Sequence, residues 1–201
     1  MTRKLLSSAA IIAVLLGLGT ACSDSGKDDD SKPSGSSSSS STESGDPNDP
    51  NSLEAKVNTL IQDGIAQANA GDFTTAQTTF NNVLVIDPGN KFALFNLGVI
   101  EQTNNRPAQA IKFYDKALAS DPAYTPAMYN KAILLEPDDL QGAVAIYEQI
   151  LTIDPKASTT YLRLSFAYDT LGDAAKAEEM RQKAIELDPS LASQTAAPPA
   201  Q

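Results

Sequence analysis

Residues 76–88 read AQTTFNNVLVIDP, and the same frame returns as AIKFYDKALASDP at 110–122, AVAIYEQILTIDP at 143–155 and AEEMRQKAIELDP at 177–189. Each copy opens on an alanine and closes on an Asp-Pro pair, and the prolines 88, 122, 155 and 189 are spaced by 34, 33 and 34 residues. In the first three copies an aromatic residue, Phe80, Tyr114 or Tyr147, follows four residues after the alanine. Proline pushes the residue before it out of helical geometry and cannot extend the hydrogen-bond ladder, so each pair marks the end of a helix.

Counting each unit from 31 residues before its proline, with one residue missing from the turn of the third, the eighth position holds Gly64, Gly98, Ala132 and Ser165. Small residues at two fixed places in a helical unit have a packing reason: they let two backbones approach where larger side chains would overpack. The repeating unit is therefore a helical hairpin. The spacing predicts first helices over 53–69, 91–102, 125–135 and 157–170, and second helices over 74–86, 107–119, 140–152 and 174–187. Asp72, Asp139 and Asp173 stand where a helix N-cap belongs; the second unit has Arg106 there, followed by Pro107 at the first helical position, where a missing N–H costs little. The third unit also carries Lys131 at a seventh position otherwise suited to leucine.

Four tandem units of this period, with small positions, aromatic and late proline in register, resemble the tetratricopeptide repeat family. The resemblance implies an all-α fold, a right-handed superhelical solenoid of four helix-turn-helix hairpins over 53–190, with units at about 53–88, 89–122, 123–155 and 156–189. It implies further that the second, fifth, sixth and ninth positions of each first helix face a concave groove. Those positions supply Ile61 and Ile65; Phe92, Phe95, Asn96 and Val99; Tyr129, Asn130 and Ile133; and Leu162, Arg163 and Phe166. Asn96 and Asn130 fall at the same place in successive units, and an amide offers both a donor and an acceptor to the backbone of an extended peptide. Family members that clamp a peptide's terminal carboxylate use lysine and arginine in such grooves, where this chain has only Arg163. The expected partner is a protein or peptide, as a free ligand or as a permanent subunit of an assembly.

The rest of the chain is of another kind. Arg3 and Lys4 precede an apolar run from Leu5 to Leu18, broken only by Ser7 and Ser8 and short for a membrane span; residues 1–21 read as an export signal. Gly19-Thr20-Ala21 then precede Cys22, the only cysteine among 201 residues. That arrangement resembles the lipobox of bacterial lipoproteins, although Leu18 stands one place earlier than the usual aliphatic residue. The resemblance implies a lipid on Cys22 and a place at the bacterial cell envelope, on the extracytoplasmic side. Residues 22–52, with Asp28-Asp29-Asp30 and serines 36–41, lack the apolar side chains that would offset the entropy of ordering. They read as a tether of roughly 30 Å mean reach. Residues 191–201, with Pro198-Pro199, read as a disordered tail, with order already ending at Ser190.

Composition narrows the function. The chain has 15 basic and 25 acidic residues, a formal charge of -10, and no histidine. An acidic surface without a basic stripe repels phosphate backbones, which argues against nucleic acid. With no histidine and the one cysteine assigned to an anchor, the common metal sites and nucleophile–histidine pairs are unavailable. The expectation is a non-catalytic protein with no cofactor and no metal.

Overall fold

The computed structural model describes residues 52–194. The export signal, Cys22, nearly all of the tether and residues 195–201 lie outside the described residues. Eight α-helices run in order: α1 Leu53–Asn69, α2 Phe73–Ile86, α3 Lys91–Thr103, α4 Pro107–Ser120, α5 Thr125–Leu135, α6 Leu140–Ile153, α7 Ser158–Leu171 and α8 Ala174–Leu187. They pack as consecutive pairs, each pair against the next, which is the order a repeat array requires.

The caps follow from the residues at the turns. Asp72, Asp139 and Asp173 accept from the N–H groups of Thr75, Gly142 and Lys176 at 3.1, 2.9 and 3.1 Å. Ser52, assigned to the tether by sequence, accepts from Ala55 N–H at 3.0 Å and belongs to the cap of α1. Between the two helices of a hairpin the fifteenth position turns left-handed: Gly71 at φ +82°, Asn105 at +57° and Gly172 at +82°. Glycine adopts that conformation without strain, and asparagine is among the few other residues that visit it readily. The residue missing from the third unit is this one, and its shorter turn, Glu136-Pro137-Asp138-Asp139, closes with the Asp139 N–H donating to Leu135 O at 2.7 Å.

Each Asp-Pro pair acts through both residues. The aspartate ends helical geometry and its carboxylate accepts from the N–H two positions on: Gly89 at 3.3 Å, Ala123 at 3.0 Å, Lys156 at 3.0 Å and Ser190 at 3.0 Å. Aspartate before proline is thus a turn former as well as a stop signal.

The core lies at the two small positions. Ala76, Ala110, Ala143 and Ala177 are fully covered, as are Phe80, Tyr114 and Tyr147. A Cβ added at Gly64 would stand 2.7 Å from Phe80 Cε1, inside van der Waals contact, and at Gly98 it would overlap the ring of Tyr114. At the far end of the array the chain stays ordered beyond Ser190, which corrects the expected onset of the disordered tail. Pro189–Gln194 forms a 3-10 turn whose Leu191 is buried with Leu162 and Ala184 and has Tyr161 and Phe166 beside it. Leu191 covers apolar surface of the fourth hairpin on the side where the next element of a repeat array would pack.

Candidate functional site

The first helices α1, α3, α5 and α7 carry the positions expected to line a groove, and the structure divides them into two groups. Ile65, Val99, Tyr129, Asn130, Ile133, Arg163 and Phe166 are half-buried, and Phe92 is 44% exposed. Ile61, Phe95, Asn96 and Leu162 are buried within the chain itself, which corrects their reading as open groove residues.

The reasons are local. Tyr124, from the turn between α4 and α5, meets Phe95 edge-on at 5.6 Å and Phe92 at 5.8 Å, while Phe95 also lies 5.9 Å from Tyr114. Phe95 is a core ring held by two tyrosines. Lys91 Nζ sits 5.2 Å from the ring centres of both Phe92 and Tyr124 and bonds Asp121 at 2.6 Å. Asn96 is only 7% exposed and donates one Nδ2 hydrogen to Phe92 O at 2.8 Å within its own helix, so little of the amide faces the groove. Asn130 reaches the Tyr114 hydroxyl instead.

A chain of polar contacts recurs along the same side. Tyr114 Oη donates to Gln102 Oε1 at 2.8 Å, and Tyr147 Oη donates to Glu136 Oε1 at 2.6 Å. Arg163 lies 3.5 Å from the other oxygen of Glu136. In the last hairpin Arg181 bonds Asp169 at 2.6 Å and Glu178 at 2.6 Å, with its Nε buried and unpartnered. Arg181 stands four residues after Ala177, at the position of the aromatics, and its guanidinium occupies the role of the tyrosine hydroxyls. Burial holds both tyrosine hydroxyls well above their usual range; at Tyr147 the hydrogen bond to Glu136 adds to this, while at Tyr114 the Asn130 bond opposes it. For Arg163, burial works against the charge, but Glu136 and Tyr129 more than offset it and the guanidinium is held more firmly protonated.

The consequence is electrostatic. Arg163 is committed to Glu136 and Arg181 to Asp169, so the groove side presents compensated charge between apolar and amide surface. A carboxylate clamp would need an uncommitted cation. Sequence reasoning passed over Gln102, Glu136 and Asp169, although they are spaced by 34 and 33 residues, the same intervals as the prolines. It also passed over Glu101, 5% exposed, which Arg106 pairs with at 2.7 Å and Gln77 Nε2 bonds at 3.2 Å. Arg106 is therefore an ion-pair partner in the position where other units place a capping aspartate. Among the described residues there is no group of three or more carboxylates or other ligands that could hold a metal ion, and no helix long and apolar enough to cross a membrane.

Comparison with known proteins agrees with this geometry. Tetratricopeptide repeat family matches cover residues 62–125 and 134–196. The solved structure "MamA RS-1 ArsTM double mutant" is 26% identical, with a TM-score of 0.59 over 68% of this chain and 78% of that one. "MamA 41-end from Desulfovibrio magneticus RS-1" is likewise 26% identical, with a TM-score of 0.58 over 68% and 77% of the two chains. A curated protein from Solanum lycopersicum, "Probable UDP-N-acetylglucosamine-peptide N-acetylglucosaminyltransferase SPINDLY", is 34% identical over 79 residues. That match spans 39% of this chain and only 8% of the plant protein, so it is a likeness between repeats. With its paired helices, small contact positions and recurrent Asp-Pro turns, the chain belongs to the tetratricopeptide repeat family, whose repeats are in general non-catalytic scaffolds for contact between proteins.

Proposed function

We propose that this protein is a membrane-anchored adaptor of the bacterial cell envelope, held by a lipid on Cys22 and binding an extended peptide or a helix of a partner along α3, α5 and α7. The observation that carries the binding surface is the strip formed by Phe92, Val99, Tyr129, Ile133 and Phe166, which is partly open to solvent beside ion pairs that are already neutralised. An apolar strip with compensated charge suits a partner segment that is itself apolar and uncharged. Arg163 serves Glu136 and contributes structure. Asn130 remains the one amide of the expected pair at the edge of the strip.

Two measurements test this. In native membranes, Cys22→Ala is expected to move the protein into the soluble or unprocessed fraction; a mature N-terminus elsewhere, without lipid, would remove the anchor. For the groove, a photocrosslinking residue in intact cells at position 92 or 166 is expected to give a discrete adduct, while one at Val85, exposed on α2, gives none. Equal adducts at all three positions, or none at 92 and 166, would remove the adaptor surface.

A further inference from the structure

The seams between successive second helices differ in how they are filled. Between α2 and α4 the ring of Phe113 packs into the clusters on both sides. In the next repeat Lys131 of α5, about three-quarters covered, pairs with Asp115 of α4 at 2.7 Å. Lys131 occupies the seventh position of its unit and Asp115 follows Tyr114, the aromatic that recurs at one register. One repeat further on, the same two places hold Leu164 on α7 and Glu148 on α6. The acid is kept, and the cation at the seventh position is replaced by leucine.

Between α6 and α8, above α7, lies an open groove of about 320 Å³. Leu151, Leu164 and Met180 supply its apolar surface, Tyr161 and Tyr168 its rings, and Glu148 and Glu179 its acids. One oxygen of Glu148 accepts from Tyr168 Oη at 2.6 Å, and among the described residues no cation pairs with the carboxylate. Lys176 also lines the groove, 4.9 Å from the Tyr168 ring and 3.7 Å from Asp173, its own counterion. Glu179 likewise has no ion-pair partner among the described residues.

We propose that this groove, on a different face from the strip described above, docks a lysine or arginine side chain of a partner protein. The aliphatic stem lies along Leu151, Tyr161 and Met180, with the buried Leu164 as the floor, and the cationic end meets Glu148 and Glu179. Long basic side chains bury an apolar stem while keeping the charge at a wet rim, and the tyrosine faces favour a cation above them. In the preceding repeat the corresponding ion pair is made within the chain, between Lys131 and Asp115.

The test is an NMR titration of the full chain with Ac-Leu-Lys-Leu-NH2 and with its norleucine counterpart, which has a lysine-like stem and no charge. At millimolar concentration the lysine peptide is expected to shift the amide signals of Glu148, Tyr161 and Tyr168, and the norleucine peptide to shift them far less. Glu148→Gln should weaken the response roughly fivefold, as expected for a partly exposed ion pair. Leu164→Lys should abolish it by placing the missing cation in the seam; should that variant fail to fold, Glu148→Gln decides alone. No shift, equal shifts from the two peptides, an unchanged response in Glu148→Gln, or shifts spread equally to Asp63 and Asp115 would each overturn the proposal. So would a change at Tyr161 in the peptide-free chain on replacing Lys27 and Lys32 by alanine, because the chain's own lysines would then occupy the groove.

Discussion

Arg181 of α8 donates to Asp169 of α7 at 2.6 Å across the fourth hairpin, in the place where Tyr147 donates to Glu136, also at 2.6 Å, in the third. Two unlike side chains therefore tie the second helix to the end of the first at one register. Tyr147→Phe keeps the ring and removes the donor, leaving Glu136 with Arg163 alone. The expected loss is about 1–2 kcal/mol in urea unfolding, the usual scale for a hydrogen bond to a charged group that is partly screened. An unchanged midpoint would show that Arg163 and water satisfy Glu136 without the tyrosine.

The tight approach at Gly98 predicts a larger sensitivity than its size suggests. A methyl group there overlaps the Tyr114 ring, whereas the third hairpin accommodates Ala132 opposite Tyr147. The second hairpin must then open towards the spacing of the third, and Gly98→Ala should cost on the order of 1–3 kcal/mol. A circular dichroism melt identical to that of the unaltered chain would place the contact elsewhere.

How much of this was legible in the sequence depended on whether a residue acts within its own repeat or across to another. Asp72, Asp139, Asp173 and the Asp-Pro pairs act over two to four residues, so spacing alone located the turns and the helix ends. Asn96 and Phe95 were misjudged because their fate is decided by Phe92 O and Tyr124, and sequence position says nothing of which neighbour covers a side chain. Leu191 was lost for a compositional reason: a single leucine between polar residues and alanines carries no periodic signal. Arg106 broke a pattern, and its purpose became visible only when Glu101 was found buried beneath it.

Arg106 and Glu101 make a prediction of their own. Arg106 is half exposed, but the Glu101 carboxylate is covered, and without the guanidinium it retains only the Gln77 amide at 3.2 Å. A buried acceptor deprived of its main donor costs about 1–3 kcal/mol. Arg106→Ala should therefore destabilise the chain, and the further change Glu101→Gln should recover part of the loss. Failure of that recovery in the double variant would mean that Arg106 acts through its aliphatic stem.

Stability is expected to fall at both ends of the pH scale. Asp121 is held below its ordinary value of 3.8 by the hydrogen bond from Lys91 and then by the Ala123 N–H, and Asp72 is lowered by Thr75. A carboxylate with a lowered folded-state value contributes fully above 3.8, and its contribution is lost as pH drops below that value and protons fill the folded site. Tyr124 and Tyr168 are pushed up to about 12, in both cases chiefly by burial, so their contribution is complete below 10.0 and lost as pH rises towards 12. Thermal melts should show a plateau between these limits, with Asp121→Asn flattening the acid limb. Phenolate absorbance rising fully near pH 10 in the folded chain would contradict the burial of these two hydroxyls.

The end of the array gives the last prediction. Repeat stability is close to a sum of local and nearest-neighbour contributions, so damage at one end should stay there. Leu191 is 5% exposed and closes the apolar surface of Leu162 and Ala184, which would otherwise face water. Leu191→Ala should cost about 2 kcal/mol, near the lower limit for a leucine truncated in a core, because an array end can collapse and resolvate more readily than an interior. Hydrogen exchange should then speed up in α7 and α8 while α1 to α4 keep their protection. Loss of protection spread evenly over all eight helices would show that the array unfolds as one unit. Unchanged exchange in α7 and α8 would show that Leu191 is not their cover.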